Sequence, residues 1–419
     1  MSEKNVNIIN VTELPLDIKR SRTYIIHQSN PNFFTHGMFK YPCKFIPEIP
    51  KWAINKYASK DDIILDCFAG SGTTLLEANV NGYNAIGLEI DFIAKLLIKV
   101  KTTKLSKKNL KTIKKIFNEC IETLDSHKIN PYIPKINNLY HWFREDVVRD
   151  LGIIKTFIDS IEDKDIKDFF YICFVSIIKR VSNADNTSPK PYVSGRIEKK
   201  ILPVREEFIS SFNKNYSRMK ELSNVKKFGK TEILNGDALN FELNSKVNLV
   251  IASPPYINAF DYGRIMRLEN LWLDYVTEEE LRERKSRYVG TEKIKIDIEE
   301  SNKEILEKSI LLKKYFNSIS KVDNKRALIV KKFFEDMYIN LSKVYQNLHK
   351  NGHYIIVIGN SNIREVNIES WKVLKELALD IGYTAEMDFN YVIQNPYLRI
   401  PRKGKGGKIN NDYILVLSK

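Results

Sequence analysis

The stretch "DIILDCFAGSGTTLLEANVNGYNAIGLEID" (Asp62–Asp91) decides how the rest of the chain is read. Ile63, Ile64 and Leu65 predict a short buried strand. Phe68–Gly72 follow as a glycine loop, Thr73–Asn81 as a helix start, and Tyr83–Leu88 as a second strand. Gly70 and Gly72 allow a tight turn and let backbone approach a ligand with no Cβ in the way. Glu89 ends the second strand about twenty residues on, where a nucleoside ribose is hydrogen-bonded in strand–loop–helix–strand units. A phosphate-binding reading fits poorly. Thr73 stands where a dinucleotide fingerprint has its third glycine, and no Gly-Lys-Ser/Thr follows. A glycine turn of this kind can also be purely structural, so the ligand reading leans on Glu89.

Outward from this unit, strand and helix patterns alternate. "TEILNGDAL" (Thr231–Leu239), "VNLVIASPPY" (Val247–Tyr256), "HYIIVIGN" (His353–Asn360) and "YILVLSK" (Tyr413–Lys419) read as strands. "KKFFEDMYINLSKVYQNLHKNG" (Lys331–Gly352) reads as a helix stopped by Asn-Gly, and "ESWKVLKELALDIGY" (Glu369–Tyr383) as another. The fold class expected is α/β, a doubly wound, parallel, helix-covered sheet. Residues 1–35 read as polar and irregular, and His36–Tyr57 as proline turns followed by a helical tail. Between about Phe92 and Lys230 the pattern is lysine-rich and helical, interrupted by the loop-like "SNADNTSPKPYVSGR" (Ser182–Arg196). The expected divisions are 1–99, a cofactor-binding half; 100–230, a mainly helical insertion; and 231–419, a catalytic half with a charged segment near 260–330.

Composition narrows the partners. The chain has 419 residues, is 43% hydrophobic and carries a formal net charge of +15. It can bury a sizeable core, and its charge points to a polyanion, most simply nucleic acid; lysine excess can also serve solubility alone. Cys43, Cys67, Cys120 and Cys173 show no ligand spacing, nor do the six histidines. No metal site is expected, and scattered thiols fit a reducing cytoplasm. The start shows no signal-peptide pattern, and the longest apolar run, "FFYICFVSII" (Phe169–Ile178), is too short to span a bilayer and reads as a buried helix.

The segment D-x-F-x-G-x-G (Asp66–Gly72) resembles motif I of S-adenosylmethionine-dependent methyltransferases. "SPPY" (Ser253–Tyr256), a rigid stop after the strand "LVIA", resembles motif IV of the prokaryotic DNA amino-methyltransferases. "HGMFKYPCKFIPEIP" (His36–Pro50) looks like their motif X, and "SPPYINAFDYGRIMRLENLWLDY" (Ser253–Tyr275) and "IVIGNSNIR" (Ile355–Arg364) look like stretches of one subgroup. The resemblance covers residues 36–91 and 231–419.

It implies a Rossmann-like methyltransferase fold, S-adenosyl-L-methionine as cofactor, and duplex DNA as partner in restriction-modification, with a cognate endonuclease conceivable at the same site. Cofactor-binding residues would be Asp66, Phe68, Gly70, Gly72, Thr73 and Glu89, with Asp237 near the adenine and Tyr41, Lys44 and Phe45 from motif X. Asp237 reads equally as a turn residue. Ser253, Pro254, Pro255 and Tyr256 would be catalytic. The target amine is conjugated into its ring and is a poor nucleophile; Ser253 Oγ and the Pro254 carbonyl can accept its N–H bonds, and Tyr256 can stack on a base extruded from the duplex. Asn258, Asp261, Tyr262 and Arg264 would line the base or backbone channel, or cap and pack a helix. Serine at the first motif IV position favours cytosine N4 over adenine N6; an RNA substrate is the more distant alternative. The insertion and Arg282–Lys295 are expected to contact DNA.

Overall fold

Ile64 and Leu65 are fully buried on opposite faces of one strand, and this two-sided burial defines the architecture. The computed structural model describes residues 8–419 except 29, 43, 127, 197–198, 258–261, 302 and 395–409. The strands are β1 (Ile8–Val11), β2 (Thr23–Ile26), β3 (Ile63–Asp66), β4 (Asn84–Leu88), β5 (Thr231–Leu234), β6 (Val247–Ala252), β7 (Leu348–Gly359), β8 (Ser361–Ile363), β9 (Val366–Ile368), β10 (Thr384–Val392) and β11 (Asn411–Ser418). All but the small β8–β9 pair form one sheet in the order β1-β2-β10-β11-β7-β6-β3-β4-β5.

Leu65, Val250, Ile356 and Leu415 project to one face, where the Asn324–Asn347 and Ser370–Ile381 helices cover them. Ile64, Leu249, Ile251, Ile355 and Ile414 project to the other, under the Glu48–Tyr57 and Thr73–Val80 helices. The near-continuous apolar runs of these strands follow from cover on both sides. The doubly wound α/β expectation therefore holds, with two differences. β11 runs antiparallel to both neighbours, while every other pairing in the sheet is parallel. Residues 1–35 are not simply irregular: β1 and β2 extend the sheet beyond β10, whose edge would otherwise expose unpaired backbone groups.

Asn351-Gly352 does not stop the preceding helix. That helix ends at Asn347, and Leu348 already pairs with Val247. The register then jumps, so that Leu249 faces His353, and Asn351 takes the intervening turn at φ 65°. Asn tolerates that left-handed conformation, so the dipeptide makes a bulge inside β7.

β3 lies between β4 and β6, which continue the sheet in opposite directions. At such a switch point the connections leave to opposite faces, opening a crevice beyond the carboxyl ends of the strands. Asp66 and Ala252 end the two strands beside it.

Between residues 100 and 230 the long elements are the helices Lys107–Ser126, Glu145–Asp159, Lys164–Val181 and Val204–Ser223. Phe169–Ile178 lies in the buried part of the third. The insertion shares one core with Ile93, Leu97 and Trp272; Trp272 is fully buried, with Phe143 and Phe174 at 5.6 and 5.9 Å between ring centres. Among the described residues no helix is long and apolar enough to cross a membrane.

Candidate active site

The glycine loop is built from below. Asp66 is fully buried, and its Oδ1 accepts the Phe68 N–H at 3.0 Å, turning the chain out of β3. Burial pushes this carboxyl up to about 7. Gly70 and Gly72 have φ of 48° and 73°, conformations that disfavour a side chain. A Cβ on Gly72 would come within 3.0 Å of Ile98 Cγ1, whereas at Gly70 the nearest atom is Tyr41 Cε1 at 3.7 Å. The two glycines thus do different work: Gly72 lets the loop pack on the helix beneath, and Gly70 leaves space on the cleft side.

Glu89 locks the loop to the end of β4. Its Oε2 accepts the Gly70 N–H at 2.8 Å, and its Oε1 accepts Ile90 and Asp91 N–H at 2.7 and 2.8 Å. Burial, with Asp91 nearby, pushes the carboxyl up to about 7 against these bonds. A buried lysine braces the other side: Lys101 Nζ donates to the Ser71 carbonyl at 2.6 Å.

One cleft of about 850 Å³, including its open mouth, collects most of the expected residues. Phe68, Gly70 and Thr73 come from the loop, Glu89 from β4, Asp237 from the turn after β5, Ser253 and Pro255 from the end of β6, and Tyr41, Lys44 and Phe45 from the segment before β3. Asp237 is a turn residue that also lines the cleft; its Oδ1 accepts Leu239 and Asn240 N–H at 2.9 and 3.0 Å. Lys44 Nζ donates to the His36 carbonyl at 3.0 Å, and burial lowers its pKa. Tyr41 stacks on Tyr262 with ring centres 5.9 Å apart, and Tyr288 lies 6.4 Å beyond, making an aromatic wall. Ser253 is half-buried, and its Oγ makes no hydrogen bond to another described residue.

Other expected residues fall elsewhere. Asp66 and Gly72 support the loop without lining the cleft, and Pro254 is buried behind it. Tyr256 lies one residue past the lining Pro255, its hydroxyl bound to Asp412. Arg264 is exposed and outside the cleft. Asn258 and Asp261 lie outside the described residues.

The structure also adds residues. Arg287, Tyr288 and Val289 close the cleft from the charged stretch 282–295. Their segment is held there by Arg284, stacked 4.2 Å from the Phe92 ring centre. The only sequence signal was an aromatic–apolar pair inside a run of charge.

Residues 14–99 match the DNA methylase model of the N6/N4 family. The chain is 27% identical over 415 residues to the type II methyltransferase M.MvaI of Kocuria varians, covering 93% of this chain and 90% of that one. It is 26% identical to M.BsoBI of Geobacillus stearothermophilus, covering 68% of this chain and 60% of the relative. It is 24% identical to M.MjaII of Methanocaldococcus jannaschii, covering 54% and 60%. Over nearly its whole length the chain is similar to type II DNA methyltransferases, and its N-terminal part matches the amino-methylase model. Two solved methyltransferases, one of them acting on a glycopeptide, align at 7 and 8% identity with TM-scores of 0.27 and 0.29. At that level the strand order and the crevice, not the superposition, carry the fold.

The cleft suits S-adenosyl-L-methionine, the cofactor that the resemblance implies. Gly70 leaves room beside the loop, Glu89 offers a carboxylate at the strand end, and Tyr41, Phe45 and Phe68 supply apolar walls.

Proposed function

We propose that this methyltransferase moves the cofactor's methyl group to the exocyclic amine of a base extruded from duplex DNA, with cytosine N4 as the target atom. The observation that supports this most is a juxtaposition: Ser253 and Pro255 share one cleft with Gly70, Glu89 and Asp237. Ser253, one of the two proposed acceptors, thus faces the same cleft as the glycine loop, with the Pro254 carbonyl next to it in the chain.

Each residue has a role in that reading. Phe68, Gly70 and Thr73 shape the floor under the methionine and ribose portions. Glu89 accepts the ribose hydroxyls with the lone pairs not used by backbone. Asp237 and the aromatic wall of Tyr41, Tyr262 and Tyr288 flank the adenosine. Bound S-adenosyl-L-methionine supplies an electrophilic methyl on a sulfonium. Ser253 Oγ and the Pro254 carbonyl accept the amine N–H bonds and draw its lone pair out of conjugation. Proline fixes φ and offers no competing N–H, so the acceptors stay aimed. Alignment of amine and methyl can contribute roughly 7–11 kcal/mol. Tyr256 stacks on the extruded base, worth about 1–3 kcal/mol against an unstacking cost of a few.

The helical insertion and the 260–330 segment are the proposed DNA-contacting regions. Lys107, Lys108, Lys111, Lys114 and Lys115 line the exposed face of an amphipathic helix. Lys179 and Lys199 serve the fold instead. Lys199 donates to the Lys179, Ser182 and Ala184 carbonyls at 2.8 Å each, and Lys179 holds Ser188 and Pro189, so both secure the loop 182–196. An endonuclease acting on the same site belongs to this restriction-modification reading.

Serine at the first motif position is the feature that favours cytosine N4 over adenine N6. Nucleoside mass spectrometry of treated duplex DNA tests it: N4-methyldeoxycytidine is expected, and N6-methyldeoxyadenosine alone would reassign the atom.

A further inference from the structure

Tyr256 is tied to a strand far away in sequence. Its hydroxyl donates to Asp412 Oδ1 at the start of β11, and Tyr391 Oη on β10 donates to Asp412 Oδ2 at 2.8 Å. Asp412 is 6% exposed. It pairs with Gly359, the last residue of β7, on one side and with Tyr391 on the other. The carboxyl thus sits on the same rim of the sheet as Ser253. Burial raises it above the usual carboxylate range, and the two phenol bonds act in the opposite direction.

Stacking on a base needs only an aromatic face, which phenylalanine also provides. The hydroxyl of Tyr256 is therefore surplus to stacking, yet it is bound to a buried carboxyl. Such a bond fixes the tilt of the ring, and removing either partner leaves a buried polar group unsatisfied. Tyr391 is itself 3% exposed, so the second phenol holds the carboxyl in place.

We infer that Asp412 is a positioning residue for the reaction: with Tyr391 it clamps the Tyr256 ring in one orientation, so that an extruded pyrimidine or purine meets a preformed platform. Preorganisation of this kind removes an ordering cost from the encounter with DNA. The inference rests on the reading of Tyr256 as a stacking platform.

The test uses the full chain, unmethylated plasmid DNA and S-adenosyl-L-methionine with a labelled methyl group. Tyr256→Phe and Asp412→Asn should each lower kcat/KM for DNA about tenfold, the loss expected from one hydrogen bond to a charged group. Cofactor affinity by calorimetry should stay within about twofold. The double variant should lose little more than either single one, because both act through one bond. Tyr256→Phe at the parental rate would overturn the clamp, as would losses confined to cofactor affinity. If Asp412→Asn does not fold, Tyr256→Phe still decides, since it keeps the ring. Tyr256→Ala separates the two layers. An inactive Tyr256→Ala beside a fully active Tyr256→Phe keeps the platform and rejects the clamp; a fully active Tyr256→Ala rejects the platform itself.

Discussion

The Gly70 amide donates to Glu89 Oε2 at 2.8 Å, joining the cofactor loop to the end of the neighbouring strand. On the proposed reading a loss at Glu89 acts twice, through the ribose and through the loop. Glu89→Ala should weaken binding of S-adenosyl-L-methionine by roughly ten- to a hundredfold, the range for a hydrogen bond to a charged group. Isothermal calorimetry reads this directly, and parental affinity would move the ribose site elsewhere.

The two glycines should separate in the same assay. A Cβ at Gly72 points toward Ile98, so Gly72→Val should lower the melting temperature first, by strain at positive φ and overpacking of about 1–3 kcal/mol. Gly70→Val keeps its branches on the cleft side and should cost cofactor affinity more than Gly72→Val does, relative to stability. The reverse order would mean that the ligand approaches from the other side of the loop.

Cofactor affinity should depend on pH near neutrality. Glu89 is raised from the ordinary value near 4.5 to about 7, so the folded apo protein holds a proton there below that pH. Only the ionised form accepts both ribose hydroxyls. Affinity should thus rise from pH 6 to pH 8 with proton release, and Glu89→Gln should flatten the curve. As for stability, a carboxyl whose folded pKa exceeds its unfolded one costs stability as pH rises from about 4.5 to about 7.

DNA affinity should fall linearly on a log–log plot against salt, by about 0.9 per phosphate contact neutralised. Changing Lys107, Lys108, Lys114 and Lys115 together to Gln should make that slope shallower if the helix face touches the backbone. An unchanged slope would leave those lysines as a solvated surface.

These tests draw on parts of the molecule that were unevenly legible in the sequence. The β3–loop–β4 unit could be read because its determinants are local: apolar strands, two glycines and a carboxylate at fixed spacing. Ser253 was singled out only through the resemblance of Ser-Pro-Pro-Tyr to a family motif, since two prolines after a buried strand by themselves indicate a turn. Arg287, Tyr288 and Val289 were not, since only long-range packing such as Arg284 on Phe92 brings them to the cleft. The direction of β11 was equally hidden; its residues are as apolar as those of a parallel strand, and pairing alone decides its sense. Asp412 looked like an ordinary residue at a strand start, and its link to Tyr256 exists only once β11 lies beside β7. The excess of lysine suggested a surface for DNA, but Lys101, Lys179 and Lys199 turn out to bind backbone carbonyls.

Ser253 should separate chemistry from binding. Ser253→Ala removes one acceptor for the amine and should lower kcat about tenfold or more, while cofactor affinity and melting temperature stay near parental. Single-turnover transfer of labelled methyl measures it, and a parental rate would reduce Ser253–Tyr256 to a turn.

The most direct test of the central claim is to incubate the full chain with duplex DNA and methyl-labelled S-adenosyl-L-methionine, digest the DNA to nucleosides and identify the labelled product by mass spectrometry. The account predicts label on an exocyclic nitrogen, as N4-methyldeoxycytidine. Label on a ring carbon, or DNA without label while structured RNA becomes labelled, would contradict it.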